Sequence, residues 1–240
     1  MPKKFIPNIF TLMNMFLGFL AIVLIINGEP LKAGIFIIIA GIFDVFDGKI
    51  ARILGMESKF GREFDSMADT ISFCVVPSIL VYTLYVDNMS QLLGILISFM
   101  PLMFGTIRLA KYNINHQKKT DRSYTDGLTT PISTICIFSY LFFSQNINNN
   151  YGDPRIALML VSILCMLMIS PIPFSKFPIL NFHSGKKNSI LLLTFIFSLI
   201  CLLIFRGFIL LPISLLYIIW SIINWLLNNN KKQLSTNSKY

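Results

Sequence analysis

The chain has 240 residues, 55% of them hydrophobic and only 13% charged, with a mean hydropathy of +0.70. Ordinary soluble domains carry about 25% charged residues, so this composition excludes a soluble globular protein and points to a chain that lives in a bilayer. The net charge of +9 comes without an RNA-binding motif or basic-aromatic array, which sets nucleic acid aside as a partner.

Apolar runs recur along the chain, several approaching the roughly 20 residues that cross about 30 Å of hydrocarbon. The first, Asn8 to Ile26, follows Lys3 and Lys4. It is long for the apolar part of a secretory leader and runs into Asn27-Gly28-Glu29-Pro30 without a small-x-small cleavage pattern, so it reads as a retained helix. A second run, Leu31 to Leu54, carries Asp44 and Asp47 near its end. After Gly55-Met56-Glu57-Ser58-Lys59 a third runs from Phe60 to Val86 with Asp65 and Asp69 near its start. A fourth, Gln91 to Ala110, contains Pro101, which a membrane bundle tolerates when neighbours satisfy the freed carbonyl. Lys111 to Thr125 is the most polar loop. Further helices are expected at Leu128 to Ser144, Ile156 to Pro171, Ile190 to Phe205 and Phe208 to Leu227. The reading is an all-α polytopic transmembrane bundle of about eight helices, or six if the last pair merges or drops. Residues 1–227 form the membrane domain, and 228–240 a polar tail without structure.

With eight spans, seventeen of the twenty Lys and Arg residues fall on the side that holds both termini and the acidic stretch, leaving Lys32, Arg155 and Arg206 on the other. The positive-inside rule then places the termini and the acids in the cytoplasm, in an inner cell membrane. Cys74, Cys136, Cys165 and Cys201 sit singly in apolar runs and read as core thiols. His116 and His183 lie in polar loops and take no role.

The stretch from Asp44 to Asp69 holds six of the eleven acidic residues. Asp44 and Asp47 are three apart, and Asp65 and Asp69 four apart, so each pair projects from one helix face and two faces can converge four carboxylates. Each aspartate at mid-helix costs about 2.5–3.5 kcal/mol to insert, roughly 10 kcal/mol for four. Relief comes either from Lys49, Arg52 and Arg62 in a structural ion-pair cluster, or from bound metal. Two divalent cations neutralise four carboxylates, and all-oxygen ligation suits Mg²⁺ or Mn²⁺; such a pair clamps a pyrophosphate well. Gly48, Ala51 and Gly61 on the same stretch suit either close helix packing or ligand approach. An ion-coupled transporter also places carboxylates at membrane depth, but gives no reason for the spacing of Gly48, Ala51, Arg52 and Gly61.

Asp44-Val-Phe-Asp47-Gly48-Lys-Ile-Ala51-Arg52, then eight residues, Gly61, three, Asp65, three, Asp69, resembles the signature D-x2-D-G-x2-A-R-x8-G-x3-D-x3-D of the CDP-alcohol phosphotransferases at every fixed position. That resemblance implies an integral membrane enzyme in which an alcohol displaces CMP from a CDP-linked lipid. It implies that Asp44, Asp47, Asp65 and Asp69 hold two metals, that Asp69 also accepts the proton, and that Gly48, Ala51, Arg52, Ser58 and Gly61 line the CDP-lipid site. The segment Pro7-Asn8-Ile-Phe-Thr11-Leu-Met-Asn14 through Ile22 resembles the start of the family's bacterial and archaeal serine-using members, which adds Asn8 and Thr11 to that site. In members that make phosphatidylglycerophosphate, arginine usually stands at the place of Asn14. Asp65-Ser-Met-Ala-Asp69-Thr-Ile-Ser72-Phe73-Cys-Val-Val-Pro77 and Arg108-Leu-Ala-Lys-Tyr-Asn113 also resemble serine-using members, with Cys74 in place of a usual glycine and Thr129 in place of a usual proline. The resemblance implies CDP-diacylglycerol and L-serine as substrates, Arg108 as a contact for the serine carboxylate, and a homodimer. A sister activity, on glycerol 3-phosphate or inositol phosphate, is the alternative.

Overall fold

The computed structural model describes residues 6–53, 55, 58–87, 89–116, 124–175 and 209–237. The helices are α1 (Ile6–Ile26), α2 (Pro30–Ile53), α3 (Lys59–Thr70), α4 (Val76–Tyr85), α5 (Gln91–His116), α6 (Thr130–Asn148), α7 (Pro154–Ile169) and α8 (Leu210–Asn237). A π-helical turn, Ile71–Val75, joins α3 to α4 in one rod. Two short strands, β1 (Tyr124–Asp126) and β2 (Pro173–Ser175), pair antiparallel. The expected helix at Ile190 to Phe205 lies outside the described residues, as do Cys201 and His183. The stretch 228–237, read as unstructured tail, continues α8 as helix instead.

Helix ends follow local chemistry. Gly28 takes a positive φ of 78° after α1, and the Glu29 N–H turns back 2.8 Å to the Leu24 carbonyl, a glycine-closed helix end. Pro30 then opens α2 at a position where a missing N–H costs nothing. Asp153 caps α7 by accepting from the Arg155 amide at 2.8 Å, with Pro154 in the first turn.

Four helical rods are long and apolar enough to cross a membrane: Pro7–Ile26, Lys59–Tyr85, Gln91–Ile114 and Leu210–Leu227. Their outward faces carry large exposed apolar side chains, such as Leu12, Phe16 and Phe19 on α1 and Leu216, Trp220 and Ile223 on α8. Helix α6 is different. Its residues are buried all round, from Thr130 through Phe138 and Leu141 to Ser144. A helix enclosed by protein needs no lipid-facing stripe, so α6 can carry Ser133, Thr134, Ser139 and Ser144 among its apolar side chains. Around it, α2, α4, α7, α8 and the π turn pack to form the core. The expected bundle is therefore present as seven helical rods among the described residues, with a two-stranded ribbon closing the chain between α5 and α6 against the end of α7.

Candidate active site

Helix α1 is apolar except for a stripe at Asn8, Thr11 and Asn14, spaced three apart so that they share one face. That face lies against α2 and α3. Thr11 and Asn14 are buried, and the Thr11 hydroxyl donates to Asp47 Oδ2 at 2.8 Å. The amide Nδ2 of Asn14 makes a longer bond, 3.4 Å, to Asp69 Oδ1.

The acids converge as their spacing predicts. Carboxylate oxygens of Asp44, Asp47 and Asp65 all lie within 4.8 Å of one another. Asp69 stands beside this triad, its carboxyl next to that of Asp44. Asp47 and Asp69 are buried and Asp44 and Asp65 half-buried. Asp65 Oδ1 is enclosed without a hydrogen-bond partner among the described residues. An all-oxygen donor set from two helices, with one oxygen unsatisfied, fits a hard divalent cation. Four residues on from Asp44 and Asp47 come Gly48 and Ala51, and four before Asp65 comes Gly61. The acid faces of both helices thus continue into small residues, which leaves room beside the carboxylates.

The π turn begins two residues after Asp69. Pro77 has no N–H, so the Phe73 carbonyl four residues earlier lacks its α-helical donor. The Thr134 hydroxyl of α6 fills that place at 2.7 Å. One residue earlier, the Ser72 hydroxyl donates to the Asn14 carbonyl at 3.0 Å. A Cβ at Gly18 would collide with the Ser72 hydroxyl and come within 2.9 Å of Ser72 Cα, so only glycine lets α1 approach this closely. Local widening of a helix at a functional site is a recurring use of π turns. On the opposite side a Cβ at Gly105 of α5 would stand 2.5 Å from Cys74 Sγ, so the thiol fills the space that this glycine leaves.

Other expected residues fall in definite places. Ser58 caps α3, its hydroxyl accepting from the Gly61 amide at 2.9 Å. Asn8 Oδ1 lies 3.8 Å from where a Gly61 Cβ would be, which brings Asn8, Ser58 and Gly61 to one end of the acid cluster. Arg52 belongs to α2, but its side chain lies outside the described residues. Arg62, one candidate for a structural ion pair with the acids, is exposed to solvent. Among the described residues, Arg108 of α5 acts electrostatically on Asp44 and Asp69; it is buried to 9% exposure with its Nε unpartnered. Asn14, Ser72 and Thr134 were not assigned site roles from the sequence. A polar residue on the stripe of Asn8 and Thr11 pointed to Asn14, and Pro77 pointed to an orphaned carbonyl; nothing local named Thr134 as its partner.

Residues 4–170 match the family described as CDP-alcohol phosphatidyltransferase. The chain is similar to the CDP-diacylglycerol–serine O-phosphatidyltransferase of Helicobacter pylori (strain ATCC 700392 / 26695), 30% identical over 229 residues that cover 94% of this chain and 92% of the relative. It is 32% identical over 188 residues to the Bacillus subtilis (strain 168) protein of the same name, covering 77% and 99%. The archaetidylserine synthase of Methanothermobacter thermautotrophicus is 30% identical over 173 residues, covering 71% and 70%.

Proposed function

The chain belongs to the CDP-alcohol phosphatidyltransferase family, and from that premise we propose that it transfers the phosphatidyl group of CDP-diacylglycerol to L-serine, giving phosphatidylserine and CMP. The observation that carries this reading is the convergence of Asp44, Asp47 and Asp65 with Asp69 alongside. The choice of serine is supported by the relatives from Helicobacter pylori and Bacillus subtilis, named for that activity, which align with 94% and 77% of this chain.

In the proposed reaction the serine hydroxyl oxygen forms a bond to the phosphorus that carries diacylglycerol. The bond from that phosphorus to the bridging oxygen breaks, and CMP leaves with the electron pair. Asp44, Asp47 and Asp65, with Asp69 completing the set, would hold two divalent cations, Mg²⁺ or Mn²⁺, whose charge would neutralise the diphosphate and the departing CMP. A serine hydroxyl is a poor nucleophile at neutral pH and needs a positioned base. We assign that task to Asp69 as the aspartate least engaged with the cations, since a carboxylate bound tightly to metal is a weak base. Asn14 and the π turn hold its orientation. Gly48, Ala51 and Gly61 leave the space for the diphosphate and cytidine, with Asn8, Ser58 and Arg52 at that end. The distribution of Lys and Arg supports a site that opens to the cytoplasm.

The test is CMP release by membranes containing the protein, given CDP-diacylglycerol, Mg²⁺ or Mn²⁺, and a panel of alcohols. Serine-dependent CMP release with formation of phosphatidylserine is expected, abolished by chelator and restored by either metal. Turnover with glycerol 3-phosphate or inositol phosphate but not serine would move the protein to a sister activity.

A further inference from the structure

The rod made of α3, the π turn and α4 lies along α5, and three contacts set the register between them. The Ser78 hydroxyl accepts from the Leu102 amide at 3.1 Å, just past Pro101. Cys74 Sγ packs into the space beside Gly105. At the end nearest the acids, Asn113 Nδ2 donates to the Ser66 hydroxyl at 2.9 Å, and that hydroxyl donates in turn to the Arg62 carbonyl at 3.0 Å. Moving down the rod from Ser78 through Cys74 to Ser66 therefore moves up α5 from Leu102 through Gly105 to Asn113, in one antiparallel register.

The third contact falls where packing is thinnest. Of the 12 residues of α3, only Ala68 and Asp69 are buried. Asp65 precedes both, on the part of the helix where no residue is buried and where Phe60 and Met67 stand 67% and 62% exposed. Its carboxylate nevertheless lies within 4.8 Å of those of Asp44 and Asp47, and like charges that close push apart the helices that carry them. Ser66 is the next residue along, so a bond that pins Ser66 to α5 also fixes the rotation and depth at which α3 delivers Asp65. We propose that Asn113 is a positioning residue for the acid centre: through Ser66 it holds α3 where Asp65 meets Asp44 and Asp47, and so sets how tightly the triad takes a divalent cation. The inference rests on the metal reading of the triad and adds to it a residue from a helix that carries none of the acids.

The test is Mn²⁺ binding to the purified protein without substrates, followed by titration calorimetry, beside the melting temperature of the metal-free protein. Asn113→Leu and Ser66→Ala should each weaken Mn²⁺ binding by about tenfold, the lower end of the loss when a group that orients a metal ligand is removed. Combined, they should weaken it no further than either alone, since both delete the same bond. Ser66→Thr keeps the hydroxyl and should bind as wild type does. Ser78→Ala deletes the contact at the far end of the rod and serves as the comparison: it should lower the melting temperature and leave Mn²⁺ affinity unchanged. If Asn113→Leu and Ser66→Ala behaved like Ser78→Ala, the bond would be structural only and the assignment overturned; additive losses in the double variant would overturn it too, because the residues would then act separately. Ser66→Ala removes a single oxygen from a half-buried site and decides the question by itself should Asn113→Leu fail to accumulate. Wild-type protein that takes up no Mn²⁺ would overturn the metal reading itself and this assignment with it.

Discussion

Thr11→Val removes one hydroxyl and almost no volume, so it isolates the bond that ties α1 to Asp47. The hydroxyl has one hydrogen and two acceptors within reach, the Pro7 carbonyl at 3.3 Å and Asp47 Oδ2 at 2.8 Å; the shorter, charge-assisted contact takes it. Thr11 is 3% exposed and Asp47 4%, so water cannot replace the lost donor. A buried hydrogen bond to a charged group is worth about 1.5–3 kcal/mol, which at 1.36 kcal/mol per decade is a factor of roughly 10 to 100. The same range is typical when a group that orients a metal ligand is removed. Measured as CMP release over a Mg²⁺ or Mn²⁺ titration, Thr11→Val should need about 10–100-fold more metal for half-maximal rate, and Thr11→Ser should stay near wild type. If Thr11→Val raised only the CDP-diacylglycerol concentration required, with metal dependence unchanged, Thr11 would be a lipid contact and the reasoning from the Asp47 bond would be refuted.

Asp69→Asn keeps the size and the Asn14 neighbour but cannot accept the serine proton; CMP release should fall by about 10²–10⁴ while CDP-diacylglycerol still protects the purified protein against heat, and unchanged turnover would remove Asp69 from the base role. Gly18→Ala forces a methyl onto Ser72 and should cost about 1–3 kcal/mol as overpacking, read as a lower melting temperature in detergent; an unaltered melt would contradict the close approach of α1 and the π turn. Thr134→Val leaves the Phe73 carbonyl buried without a donor, at about 1–3 kcal/mol; Thr134→Ser should restore both melting temperature and activity, and a Val variant as stable as wild type would argue against the hydroxyl's role.

The acid cluster was legible in the sequence because its determinants are local. Asp44 with Asp47, and Asp65 with Asp69, lie within a turn of each other, and a helix turns that spacing into a face whatever the rest of the chain does. The long apolar runs were legible for the same reason, and α1 and α3 with α4 begin and end close to where hydropathy places them, whereas α5 runs past Ala110 to His116 through residues expected to open the polar loop. What stayed hidden depends on partners far apart in sequence. Asn14 meets Asp69 across 55 residues and Thr134 meets Phe73 across 61, and no local pattern specifies such pairings. Pro77 announces an unsatisfied carbonyl without naming its donor. The polar end of α8 shows the opposite failure: Asn228 to Asn237 lacks an apolar stripe, yet continues the helix begun by the apolar residues before it.

Helix α1 turns Thr11 and Asn14 to the acids and Leu12, Phe16 and Phe19 outward. A helix with its side chains is about 10 Å across, so only that thickness separates the carboxylates from the surrounding hydrocarbon. A donor anchored by acyl chains could present its headgroup around so thin a wall without leaving its leaflet. For such a substrate the governing concentration is a surface density. Diluting CDP-diacylglycerol with inert lipid at constant total amount should slow the enzyme, whereas diluting the vesicles in buffer should not.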